Sequence, residues 1–152
     1  MRTRSNLYAA LLVPAMFFSS WGTGPAAQNH ARAPVIRVAP ADEYFGRLKM
    51  SILGIRNQLR DLGLRLQYAP DREADVLGAA GFVEDALHDW EHKYPSDPWL
   101  AKSVYQLTSL YARIHSAEGQ QNATRAFHWL QARYAKTTYA AQARVELADT
   151  LK

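Results

Sequence analysis

ALHDWEHKYPSDPWLAKSVYQL, from Ala86 to Leu107, decides the architecture because it has an echo. At an offset of 40 residues, Ala126 to Leu147 reads AFHWLQARYAKTTYAAQARVEL. Ala86/Ala126, His88/His128, Tyr94/Tyr134, Ala101/Ala141 and Leu107/Leu147 are identical, and Leu87/Phe127, Trp90/Leu130, Lys93/Arg133 and Trp99/Tyr139 are alike in kind. Both copies cross a helix end, a short turn and the next helix start, so the repeating unit is a pair of helices. In the first copy the turn is Pro95-Ser96-Asp97-Pro98. Asp97 is placed to cap the following helix, and Pro98 suits its first position, where the missing N–H would have had no partner.

The apolar spacing extends the helices outward. Upstream, Phe45, Leu48, Ile52, Ile55, Leu59, Leu62 and Leu66 advance by steps of three and four. Such steps keep side chains on one face of a single long helix, and no strand-like alternation competes. Tyr68-Ala69-Pro70-Asp71 breaks it, with Asp71 expected to cap a second helix carrying Val76, Ala80, Val83, Leu87, Trp90 and Tyr94. The short connection predicts that these two fold back antiparallel. Downstream, Leu100, Val104, Leu107, Tyr111 and Ile114 mark a third helix, and Gly119 a turn. Ala123, Phe127, Leu130 and Tyr134 mark a fourth, and Ala141, Leu147 and Leu151 a fifth from about Thr138. The expectation is an all-α domain over 42–152, an antiparallel stack of helix pairs with about five helices.

At this point the sequence resembles tetratricopeptide repeats. Leu107, Thr108 and Tyr111 match the Leu, small residue and Tyr of that family's first helix, and Ala123 and Phe127 match the Ala and aromatic of its second. The junction Tyr94 to Ala101, echoed at Tyr134 to Ala141, is similar to junctions in bacterial envelope proteins of this type, such as the outer-membrane assembly lipoprotein and the Tol-Pal coordinator. The resemblance implies a scaffold without catalytic groups. It covers roughly residues 83–151 and departs from the family in its period of 40, in Thr108 for the favoured Gly and in Ala135 for the second junction Pro. With at most two and a half helix pairs, a partner or a second copy would supply the missing neighbour, which leaves room for a homo-oligomer or a self-assembling structural protein.

The N-terminus reads as a targeting segment. Arg2 and Arg4 precede the apolar run Leu7–Phe18, and Ser19–Ala27 is small and turn-prone, the three parts of a secretory signal over residues 1–27. Pro14 interrupts the run, which is shorter than the ~20 residues of a membrane span. The expected product is therefore exported and periplasmic, with no stable span once the signal is removed. An uncleaved anchor is the alternative. Residues 28–41, rich in Ala and Pro, read as a flexible linker, with Val35–Val38 able to pair as a short edge strand.

Composition narrows the chemistry. Without Arg2 and Arg4 the chain keeps 16 basic residues against 14 acidic ones, too slight an excess for nucleic acid. The absence of cysteine excludes disulfides, a thiol nucleophile and a lipoprotein anchor. His88-Asp89-Trp90-Glu91-His92 fits the H-x-x-E-H pattern of inverted zinc peptidases. A metal-dependent hydrolase on His88, Glu91 and His92 is thus an alternative from another class. The apolar stripe Val83, Leu87, Trp90 and Tyr94 places those side chains on its flank, however, and the larger expectation is no metal, no cofactor and no catalytic residue. Trp99, Tyr105, Tyr111, Trp129 and Tyr139 are candidate aromatic anchors for a protein or peptide partner. Arg47, Arg56 and Arg60 are a candidate basic strip on the first helix, whose charges are otherwise read as mutual support against the acidic second helix.

Overall fold

The computed structural model describes residues 37–147, and the expected signal segment over 1–27, Val35 and Leu151 lie outside them. Within that range the protein is all-α, with five helices: α1 (Ile52–Tyr68), α2 (Glu73–Lys93), α3 (Trp99–Ala112), α4 (Ala117–Tyr134) and α5 (Thr138–Leu147). No described helix is long and apolar enough to cross a membrane.

Successive helices run antiparallel. Glu43 and Phe45, just before α1, meet Lys93 and Trp90 near the end of α2, while Glu73 at the start of α2 meets His115 just beyond α3. The helices form two layers. α1, α3 and α5 lie side by side, with α3 packed on both neighbours, and α2 and α4 cover them. One cluster joins α1, α2, α3 and part of α4, and a smaller one joins Val104 and Leu130 to Ala140 and Ala143 of α5.

The repeated stretches bury equivalent positions. Ala86 and Ala126, Val83 and Ala123, and Trp90 and Leu130 are all buried, and Tyr94 and Tyr134 are half-buried. The correspondence fails in α5, where Ala141 is exposed although its counterpart Ala101 is buried. α5, the last described helix, packs on α3 and α4 through the narrow face of Ala140 and Ala143.

The first helix begins later than its apolar spacing predicts. Phe45 and Met50 exchange backbone hydrogen bonds of 2.9 Å across a tight reversal, and α1 is capped by Ser51, whose hydroxyl accepts from Gly54 N–H. Phe45 still reaches the core, stacked on Trp90 at 5.6 Å and edge-on to Tyr94. Leu48 at the tip is 55% exposed and leaves the seam. The reversal is held by α2, because Gly46 N–H donates to Asp89 and Arg47 N–H donates to Asp85. Gly46 has φ +66°, and a Cβ there would lie 2.8 Å from the Ala86 Cα, so glycine is required twice over. Burial would raise the Asp89 carboxyl, but the Gly46 N–H and the Lys93 ammonium together hold it below its usual value.

Three further starts differ from expectation. Pro70–Arg72 forms a 3-10 turn, so Asp71 lies before the helix and does not cap it. Gly119 lies inside α4, whose cap is Ser116. The linker expected over 28–41 is fastened at its end: Ala39 is buried and its N–H donates to Asp97 at 2.9 Å. Residues 37–40 form no strand.

Asp97 does cap α3, accepting from Trp99 N–H at 3.0 Å. Its second oxygen also takes the indole N–H of Trp90 at 3.1 Å and Ala39 N–H. One carboxylate, 3% exposed, thereby ties the incoming chain, the end of α2 and the start of α3 together.

Candidate functional site

Four apolar residues of α1, Ile55, Leu59, Leu62 and Leu66, face the core. The same helical period aligns a second stripe, Leu53, Arg56, Arg60, Leu64 and Gln67, along the seam with α3. At one end of that seam a depression of about 290 Å³ is lined by Val38, Ile52, Leu53, Arg56 and Trp99. Leu53 is 62% exposed and Trp99 43%. The Arg56 guanidinium lies 5.4 Å from the centre of the Trp99 ring and Lys102 Nζ lies 6.0 Å from it. Each such contact contributes about 0.5–1 kcal/mol when exposed, enough to orient the ring but not to cover it.

At the far end of the seam a second depression, about 300 Å³, lies among Arg60, Leu64, Gln67, Gln106 and Arg113. The Gln106 side-chain carbonyl is buried there with no hydrogen-bond partner. Across α3, Tyr105 and Tyr139 lie 5.9 Å apart, and the Tyr105 hydroxyl donates to Glu146. That bond holds the Glu146 carboxyl below its usual value, while burial, then the same bond, push the Tyr105 hydroxyl up. Among the described residues Arg56, Lys102 and Arg113 form no ion pair, and Arg60 pairs only with its neighbour Asp61. The seam is therefore mainly apolar at the Trp99 end and polar and cationic from Arg60 to Arg113.

Of the residues singled out in the sequence, Trp99, Tyr105, Tyr139, Arg56 and Arg60 lie on the α1–α3–α5 layer. The other three do not share its open face, although Tyr111 belongs to α3. Arg47 precedes α1 and lies on α2, 3.4 Å from Asp85 and over the Phe82 ring. Tyr111 is fully buried between α2 and α3, and its hydroxyl donates to Glu84 at 2.8 Å. Burial, then the Glu84 charge, push that hydroxyl well above the usual tyrosine range. Trp129 faces α2, stacked on His88 at 4.0 Å. Leu53, Leu64, Lys102 and Arg113 went unread. Leu53 and Leu64 sit eleven residues, or three turns, apart off the main seam, and that spacing was the available signal.

The H-x-x-E-H segment acts as a strut between α2 and α4. Glu91 accepts from Trp129 Nε1 at 3.0 Å, from the Tyr134 hydroxyl at 2.6 Å and from Arg133 Nε at 3.2 Å. Burial, reinforced by the bond to Glu91, pushes the Tyr134 hydroxyl up. A carboxylate engaged by three donors is poorly placed to activate water. His92 is exposed, and among the described residues no three His, Asp or Glu side chains converge as a metal site would need.

No protein-family model matches the chain, and comparisons with curated proteins and with solved structures find no match.

Proposed function

We propose that this protein is an exported, tetratricopeptide-like scaffold of the cell envelope that binds an acidic, partly apolar peptide segment of a protein partner along the α1–α3 seam. The observation that carries the proposal is the conjunction at Trp99: an exposed indole and Leu53, with Arg56 and Lys102 over the ring and no acid among the described residues paired to either. Exposed aromatic and apolar groups framed by arginine are the usual anchors of recognition surfaces, and unpaired cations steer and select an anionic partner. The seam has room for a helix or an extended strand: Leu53 to Leu64 spans about 16 Å at 1.5 Å per residue. Export rests on the N-terminal pattern of Arg2, Arg4 and Leu7–Phe18.

Panning a random displayed-peptide library against the full chain tests the reading. Enriched peptides should carry Asp or Glu beside an apolar anchor, and Trp99→Ala or Arg56→Glu should abolish their binding while leaving the helical circular dichroism intact. Enrichment of nothing, or of peptides that the W99A variant binds equally well, would remove the seam from consideration. Fractionation of cells expressing the chain tests export separately.

A further inference from the structure

α2 contains two glycines that the fold does not require. A Cβ added at Gly78 or Gly81 would meet nothing within 4 Å, whereas one at Gly46 or Gly119 would collide with its surroundings. Glycine inside a helix weakens it relative to alanine, so these positions carry a cost that no contact among the described residues explains. Ala74, Gly78 and Gly81 recur on one side of α2 and form the wall of a trough of about 690 Å³, within the size range of ligand sites. α4 supplies the opposite wall, with Glu118, Asn122 and Arg125, and Tyr111 lies below.

The small residues show room and nothing more. Asn122 supplies the independent observation. It is only 8% exposed, it lines the trough, and its side-chain amide hydrogen-bonds to no described residue. Its amide atoms are not sealed in the core but open into the trough, where they present one acceptor and two donors.

We propose that the trough is a second peptide site, separate from the α1–α3 seam, which takes an extended segment bearing a Lys or Arg. The segment's backbone C=O and N–H pair with the Asn122 amide, which presents the same complementary donor and acceptor as a peptide group. The missing Cβ atoms of Gly78 and Gly81 let that backbone lie close against α2. Glu84 and Glu118 outnumber Arg125 along the walls and select a cation.

The test is amide NMR on the full ¹⁵N-labelled chain, titrated with pooled capped hexapeptides of Gly, Ala and Lys, and separately with a Gly, Ala and Glu pool. The Asn122 side-chain NH₂ and the Gly78 and Gly81 amides should shift with the lysine pool and not with the glutamate pool. Asn122→Ala removes a buried group and risks the fold, so Gly78→Leu and Gly81→Leu are the decisive variants. Each should melt no lower than the parent yet bind about tenfold or more weakly, since filling the wall blocks the approach. Absence of shifts at millimolar lysine pool, equal shifts with the glutamate pool, or unchanged affinity in both leucine variants would overturn the proposal. Equal response to acetamide alone would also overturn it, by making the ligand a small amide.

Discussion

Replacing Asp97 by alanine should be the most damaging single change to a polar side chain in this protein. The loss can be worked from its three bonds. The Trp99 amide loses its cap, at about 1 kcal/mol. The Ala39 amide and the Trp90 indole N–H are left buried without an acceptor, at about 1–2 kcal/mol each. The total, about 3–5 kcal/mol, is a large fraction of the roughly 5–15 kcal/mol that holds a domain of this size together. At about 4 °C per kcal/mol, the melting temperature should fall by about 12–20 °C. Urea unfolding followed at 222 nm measures the loss, and the double-mutant cycle with Trp90→Phe isolates one bond. The coupling between the two substitutions should be about 1 kcal/mol or more, because Asp97 and the indole touch directly. A loss under about 1 kcal/mol for D97A with an unchanged denaturant slope would refute the reasoning, since it would mean that these donors find water instead.

Gly119→Ala should lower stability by about 1–3 kcal/mol, although alanine is the better helix former, because the new methyl would lie 2.4 Å from Ile114 Cγ2; a rise in the urea midpoint would contradict that packing. Glu91→Ala should cost about 2–4 kcal/mol by stranding the Trp129 indole N–H and the Tyr134 hydroxyl, whereas a side chain kept only for chemistry would leave the thermal melt unmoved. The hydrogen bond from His115, opposed by partial desolvation, holds the Glu73 carboxyl below its ordinary value of 4.5. A depressed folded-state value means that this contribution is present above about pH 4.5 and fades as the pH falls below it, so Glu73→Gln should flatten the acid limb of a stability–pH profile; an unaltered acid limb would show that the clasp is not formed in solution.

Much of the fold was legible because helix period and helix punctuation are local properties. The 3–4 spacing from Ile52 to Leu66 names the buried face of α1, and the Asp-Pro pair names the start of α3. The 40-residue echo pairs Trp90 with Leu130, and both are buried. The same spacing misled at Phe45 and Leu48, which satisfy a helical pattern by coincidence of register. Whether Gly46-Arg47-Leu48-Lys49 continues a helix or reverses depends on Asp85 and Asp89, some 40 residues away, which offer acceptors to the turn's amides. Gly119 misled in the opposite sense: a glycine reads as a turn, and only the nearby Ile114 side chain shows that it is a packing residue within α4.

For the candidate site the division is sharper. Tyr111, Trp129 and Tyr105 are equivalent as letters, large aromatics at helical spacing, and the chain alone does not tell an anchor from a core plug. Their fates were decided by what lies across from each: Glu84 for Tyr111, His88 and Glu91 for Trp129, and Tyr139 and Glu146 for Tyr105. By itself the sequence determined that helices form, where most of them stop and which stripes seek burial, because those follow from backbone sterics and the period of the apolar residues. Only tertiary structure decided which carboxylates act as struts, which cations stay unpaired and which indole faces outward, because each of those depends on a partner brought near by packing and not by position along the chain.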